Sequence, residues 1–326
     1  MRKIIIILFL SVVYSLQGAI INEKLYRKAE THFENREWSE ALSMYNILLI
    51  ENPKEVKLYV SSVVAASYKE APQSVMHYVE LSERNGVSLD SLFIGVNALT
   101  MAHRKSKIYE NMLLLIKKEQ PWLKKLINTY LLRFYRFRND APRIVEISDE
   151  LLEMFPDDER LLKLKGDALL EQGEELQSFD CYKRIYQKDS TNRDALIFLG
   201  NFMYNRGIEQ LKELEMHYDS LMSPTRMQYA SYEWEKNRIL DTDFREAASY
   251  LEKADKQYTT PYLRKTLYSI YTRLAEIGKA EMILNESKEI SLNAKVWIEP
   301  FSFFSINCPL GSIPSIEALN ISSPYK

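Results

Sequence analysis

A chain of 326 residues that is 46% hydrophobic and 27% charged, with only nine glycines, folds with few tight turns and is not disordered over most of its length. The formal charge is −2, becoming −4 once a leader carrying Arg2 and Lys3 is removed, so non-specific nucleic-acid binding is not expected.

Arg2 and Lys3 precede an apolar run from Ile4 to Tyr14, and Gly18 and Ala19 supply small residues for a peptidase. That order reads as a secretory signal over residues 1–19 and predicts an exported, periplasmic or envelope-associated chain. The alternative keeps residues 4–21 as an uncleaved membrane helix and makes the chain an anchored sensor or assembly subunit. No Cys follows the run, so lipoprotein attachment is not expected.

From there on, helix-ending signals recur at Pro53, Val87, Pro121, Pro156, Ser190, Pro224 and about Thr259, with spacings of 34, 34, 35, 34, 34 and 35 residues. A fixed period near that length marks stacked helical hairpins, each too small to bury its own apolar face. The first unit places Leu25, Ala29, Phe33, Trp38, Ala41, Tyr45 and Leu48 at core offsets, around an Asn35-Arg36-Glu37 turn. Tyr59, Val63, Ala66, Val75 and Val79 make the second, and Phe93, Met101, Tyr109, Leu113 and Ile116 the third. The fourth runs from Leu126 through Tyr135, Ile144 and Ser148 to Pro156. In the sixth, Leu196 to Gly207 predicts a first helix and roughly Ile208 to Met222 a second, without the small residue expected near Lys212. Phe244, Ala247, Leu251 and Ala254 mark the seventh, and Tyr262 to Ile283 a closing helix pair.

The fifth unit, Arg160 to Asn192, is the clearest. Gly166 and Ser178 are small where two helices cross closely, and Gly173 sits in the turn between them. With Leu162, Leu169, Tyr182 and Ile185 at their offsets, it resembles the tetratricopeptide repeat, or TPR. The resemblance covers about residues 22–285. It implies an all-α, right-handed superhelical solenoid of about seven hairpins plus the closing pair. The stretch Pro224 to Ala230 is similar to repeat proteins of the Bacteroidetes cell envelope, which agrees with export. Beyond that, residues 286–326 form an irregular, Pro-rich, apolar tail. The tail reads as a plug on the groove or an end, a segment of low order, or a chain end not native to the reading frame.

In TPR proteins the first helix of each hairpin lines the concave face. Carried onto this sequence, the resemblance makes Arg133, Arg136 and Phe137 of the fourth unit, Lys163 of the fifth, and Asn201, Tyr204 and Asn205 of the sixth the partner-binding residues. Thr129, Arg160, Asp167, Leu170 and Ile197 line the same face. Arginine forks take carboxylates, Asn bonds peptide backbone and Tyr stacks on apolar side chains, so a protein or linear peptide with an acidic residue or a free C-terminus is the expected partner. The co-chaperone carboxylate clamp of this family is not reproduced, because Tyr26 and Glu30 stand where it needs Lys and Asn.

Catalytic constellations are lacking: no phosphate-binding Gly loop, no His-Glu-x-x-His and no nucleophile elbow occurs. Asp157, Asp158 and Glu159 follow Pro156, where carboxylates stabilise the start of a helix. His32, His77, His103 and His217 have no metal-ligand spacing, and Cys181 reads as a core filler, with a bridge to Cys308 left open. The expectation is a non-catalytic scaffold with no cofactor, metal, nucleic acid or small-molecule substrate.

Overall fold

The computed structural model describes residues 22–103 and 106–291, and every described element is helical. The proposed signal, Cys308 and the tail beyond Ser291 lie outside the described residues. The chain divides into two units, one ending at Ala195 and the other starting at Leu196.

The first unit contains five helical hairpins. These are α1 (Glu23–Glu34) with α2 (Trp38–Glu51), α3 (Val56–Tyr68) with α4 (Pro72–Arg84), α5 (Leu89–Ala102) with α6 (Ser106–Glu119), α7 (Lys124–Arg138) with α8 (Ala141–Met154), and α9 (Glu159–Glu171) with α10 (Glu175–Lys188). Local chemistry starts and stops them. The side chains of Asn22, Asp140 and Asp158 accept hydrogen bonds from first-turn amides, and Pro72 and Pro142 sit where a missing N–H costs nothing. Asp158 thus performs the helix-start role expected of its acidic cluster.

Within the hairpins, one residue of each described turn adopts a left-handed backbone. Arg36, Glu70, Asn139 and Gly173 have φ between 54° and 80°, and each sits about a whole number of 34-residue periods from the next. The third such position falls at residues 104–105, outside the described residues. The core follows the predicted offsets: Ala29, Ala41, Tyr45, Tyr59, Val63, Phe93, Leu113 and Ile116 are fully buried. Met101 is not; it is 38% exposed. In the fifth hairpin a β-carbon at Gly166 would lie 3.0 Å from Tyr182 Cε2, and Ser178 Oγ donates to the Gly166 carbonyl at 2.9 Å. The close crossing read from those two small residues is present.

The second unit departs from the predicted pattern. Extending the turn period past Gly173 gives 207, 241 and 275, yet only Ala275 is left-handed, with φ 56°. Instead, α11 (Arg193–Asp219) runs straight through Gly207 for 27 residues, which corrects the expected pair of helices in the sixth hairpin. Its partner is α12 (Arg226–Ile239), a π-helical turn at Leu240–Phe244, and α13 (Arg245–Gln257). Two expected hairpins are replaced by one of double length. α14 (Pro261–Arg273) and α15 (Ile277–Ser291) form the closing pair, started by the Thr260 cap on Leu263.

The physical cause is packing at Gly207. A β-carbon there would come within 2.7 Å of the fully buried ring of Phe244, and Tyr204 meets that ring edge-on at 5.8 Å. The missing side chain serves a close helix approach, so it is not available to ease a turn. At the tip, Thr225 and Gln228 form a capping box that starts α12.

Candidate functional site

α7 carries Lys124, Lys125, Arg133, Arg136 and Arg138 and no acidic residue. The arginines of its last turn complement the negative end of the helix. Four of the five cations are engaged locally, Arg133 among them. Lys124 pairs with Glu150 at 3.1 Å, Lys125 lies over the Phe155 ring at 4.7 Å, and Arg138 donates to Ser106 Oγ at 2.7 Å.

Arg133 and Arg136 are the two predicted partner-binding cations of this helix. Neither forms an ion pair with a carboxylate among the described residues, and both are partly exposed. Arg133 stacks over Tyr130 at 5.4 Å, whose ring meets Phe93 edge-on and whose hydroxyl donates to Asp90. Tyr130, absent from the predicted partner-binding residues, stands one turn before Arg133, and that spacing is its only signal in the sequence. The Arg136 Nε is buried with no hydrogen-bond partner among the described residues. Phe137 is 71% exposed. Helical spacing of three and four places Arg133, Arg136 and Phe137 together on one face.

On α9, Lys163 pairs with Asp194, while Asp167 accepts a hydrogen bond from the Tyr182 hydroxyl of α10. Burial pushes the Asp167 carboxyl above its ordinary value. The Tyr182 hydroxyl, Lys163 and Arg136 pull it back, and Asp194 adds to the rise. Arg133, Arg136, Phe137 and Lys163 all belong to the first unit, on two of its first-position helices.

The three residues predicted from the sixth hairpin belong to the second unit. Asn201 is 3% exposed, so it is buried and not displayed. Tyr204 is turned toward Phe244 and hydrogen-bonds Ser269 Oγ of α14 at 2.8 Å. Asn205 is partly exposed. The straight course of α11 explains the difference: its first half packs closely along α13, with Gly200 against Leu251.

A concavity of about 660 Å³ lies beside the π turn, between α11 and α12. Its arginines are already compensated, Arg206 by the buried Asp243 and Arg238 by Glu235. Among the described residues no group of three or more His, Cys, Asp or Glu side chains is placed to hold a metal, and no helix is long and apolar enough to cross a membrane.

No protein-family model matches the chain, and no curated protein matches it in sequence. Solved structures do. A candidate protein-binding protein of Bacteroides ovatus is 23% identical with a TM-score of 0.49, over 68% of this chain and 99% of that one. A TPR repeats protein of Bacteroides fragilis is 18% identical with a TM-score of 0.33, over 78% and 99%. The C-terminal part of a TPR repeat-containing protein of Cytophaga hutchinsonii is 11% identical with a TM-score of 0.41, over 79% and 92%. The chain itself has an all-α, TPR-like fold, carried by its repeated turn positions and the Gly166–Ser178 crossing.

Proposed function

We propose that the protein is a non-catalytic scaffold of the cell envelope that holds a segment of a partner protein against the α7–α9 face. The observation that carries this reading is the pair Arg133 and Arg136, two guanidinium groups on an acid-free helix with no carboxylate of their own. A guanidinium group presents a planar fork that takes a carboxylate in two parallel hydrogen bonds, and both arginine side chains are partly exposed. The exposed Phe137 ring beside them offers an apolar surface to the same segment. Because the helices are held by the hairpin core, the ligand alone bears the ordering cost.

Envelope location is supported by the order of charged, apolar and small residues over residues 1–19. A mature N-terminus near Ala19 or Ile20 is the expected result of sequencing the protein from cells, and an intact Met1 would replace export with anchoring.

The test of the binding face is the double variant Arg133→Glu, Arg136→Glu in a pull-down from envelope extracts. Partner capture is expected to disappear while the helical circular dichroism signal stays unchanged. Undiminished capture by that variant would remove the assignment.

A further inference from the structure

We propose that the outer face of α12 is a self-association surface, on which a second copy of this chain lays its own α12 antiparallel. The inference is independent of the α7–α9 reading.

The arm made by the distal half of α11 and by α12 has no core of its own. Leu211 and Ile239 are buried at its base, and no residue from Lys212 to Arg238 is. The two helices share a thin seam: Tyr232 stacks on Tyr218 at 4.5 Å, and Tyr229 tilts toward the same ring at 6.3 Å. A short helix draws most of its stability from packing an apolar face, and this seam covers one side of α12 alone.

The same rings fix which side of α12 faces away. Met227, Ala230 and Trp234 follow one another at spacings of three and four residues, about half a turn round the helix from Tyr232. Met227 is 81% exposed, Trp234 66%, and Ala230 is exposed between them. That spacing is the seam of a helix pair, and a small residue at its centre lets a second helix come close.

Charge decides the occupant. Arg226 and Glu233 stand seven residues apart along one edge of the stripe, while on the other edge Arg238 is already neutralised by Glu235. Arg226 is exposed and forms no ion pair among the described residues, and Glu233 has Lys236 at 3.8 Å. The stripe is therefore complementary to its own reverse. Turning a copy of α12 about the level of Ala230 and Ser231 sets Met227 against Trp234 of the second copy and Arg226 against its Glu233. Two-fold symmetry makes each contact twice, sulfur on ring and cation beside carboxylate. Beyond Arg226 the tip, where Met222 is fully exposed, comes level with a concavity of about 380 Å³ lined by Trp234, Asn237, Arg238 and Asp241. A parallel pair would instead oppose Arg226 to Arg226 and Glu233 to Glu233. One helix of 14 residues supplies only part of the roughly 800 Å² that each partner buries in a stable dimer, so a dissociation constant on the order of tens of micromolar is expected.

Sedimentation velocity of the full chain from about 1 μM to about 200 μM tests this. The sedimentation coefficient should rise with concentration from monomer toward dimer, and Trp234→Glu should hold the chain monomeric with its helical circular dichroism unchanged. Arg226→Glu and Glu233→Arg should each weaken the dimer about tenfold, because each change acts at both ends of the interface, and the two together should restore it. Neither a parallel pair nor a helix that merely loses stability predicts that recovery.

A monomer throughout the range overturns the inference, whether residues 292–326 or a different protein then covers the stripe. So does a dimer that persists in Trp234→Glu, or a pair of single charge changes that the double variant does not repair. None of these results touches the α7–α9 reading, whose test residues lie in the other unit.

Discussion

Gly207 lies under the ring of Phe244, so close that a β-carbon at 207 would stand 2.7 Å from Cε2. This contact straightens a repeat. The period that puts left-handed residues at Glu70, Asn139 and Gly173 points to 207 as the next turn, and α11 passes through it as helix. Alanine is the better helix former by about 1 kcal/mol, whereas forcing a methyl group into a packed contact costs about 1–3 kcal/mol. Gly207→Ala should therefore destabilise the protein on chemical denaturation, and a neutral or stabilising result would show that α11 does not depend on this approach.

Ala275 occupies the matching turn of the closing pair with φ 56°, a conformation that costs a residue with a β-carbon about 1 kcal/mol. Ala275→Gly should raise the stability of the second unit by several tenths to about 1 kcal/mol, after the greater flexibility of Gly in the unfolded chain is deducted. A lower melting temperature in this variant would contradict the left-handed assignment.

Glu150 of α8 gathers Lys117 of α6 at 2.6 Å and Lys124 of α7 at 3.1 Å, with Asn128 of α7 donating at 3.2 Å. Burial alone would raise its pKa, but these donors outweigh it and hold the carboxyl below the ordinary range. A folded pKa below the unfolded one gives stability that is present above the unfolded value and lost as pH falls through the folded one. Glu150→Gln should cost about 1–3 kcal/mol at neutral pH. That cost should shrink below the ordinary carboxylate range; a penalty independent of pH would mean that the charge is not what ties α6, α7 and α8 together.

Phe137 is 71% exposed and makes no contribution to the buried core. Phe137→Ser is expected to leave the melting temperature within about 0.5 kcal/mol of equivalent stability while weakening partner capture by the α7–α9 face. Loss of stability with capture retained would reverse the roles given to this ring.

What the sequence alone determined is the hairpin length, the helix-ending positions and most of the core. The ends of α2, α4, α6, α8 and α10 fall two or three residues before Pro53, Val87, Pro121, Pro156 and Ser190. These features are local or periodic: prolines, caps and apolar residues at helical spacing act within a turn or two of their own position. The cationic, acid-free stripe of α7 was legible for the same reason, because residues on one helix face are set by spacing alone. Tertiary structure decided the rest. Glycine reads the same whether it eases a turn, as Gly173 does, or admits a ring, as Gly207 does, and only the position of Phe244 tells the two apart. Likewise Asn201 and Tyr204 show the right spacing for display, but a straight α11 packed along α13 and α14 turns the one inward and occupies the other. Which helix lies against which is a long-range choice, made by shape and burial across elements far apart in the chain.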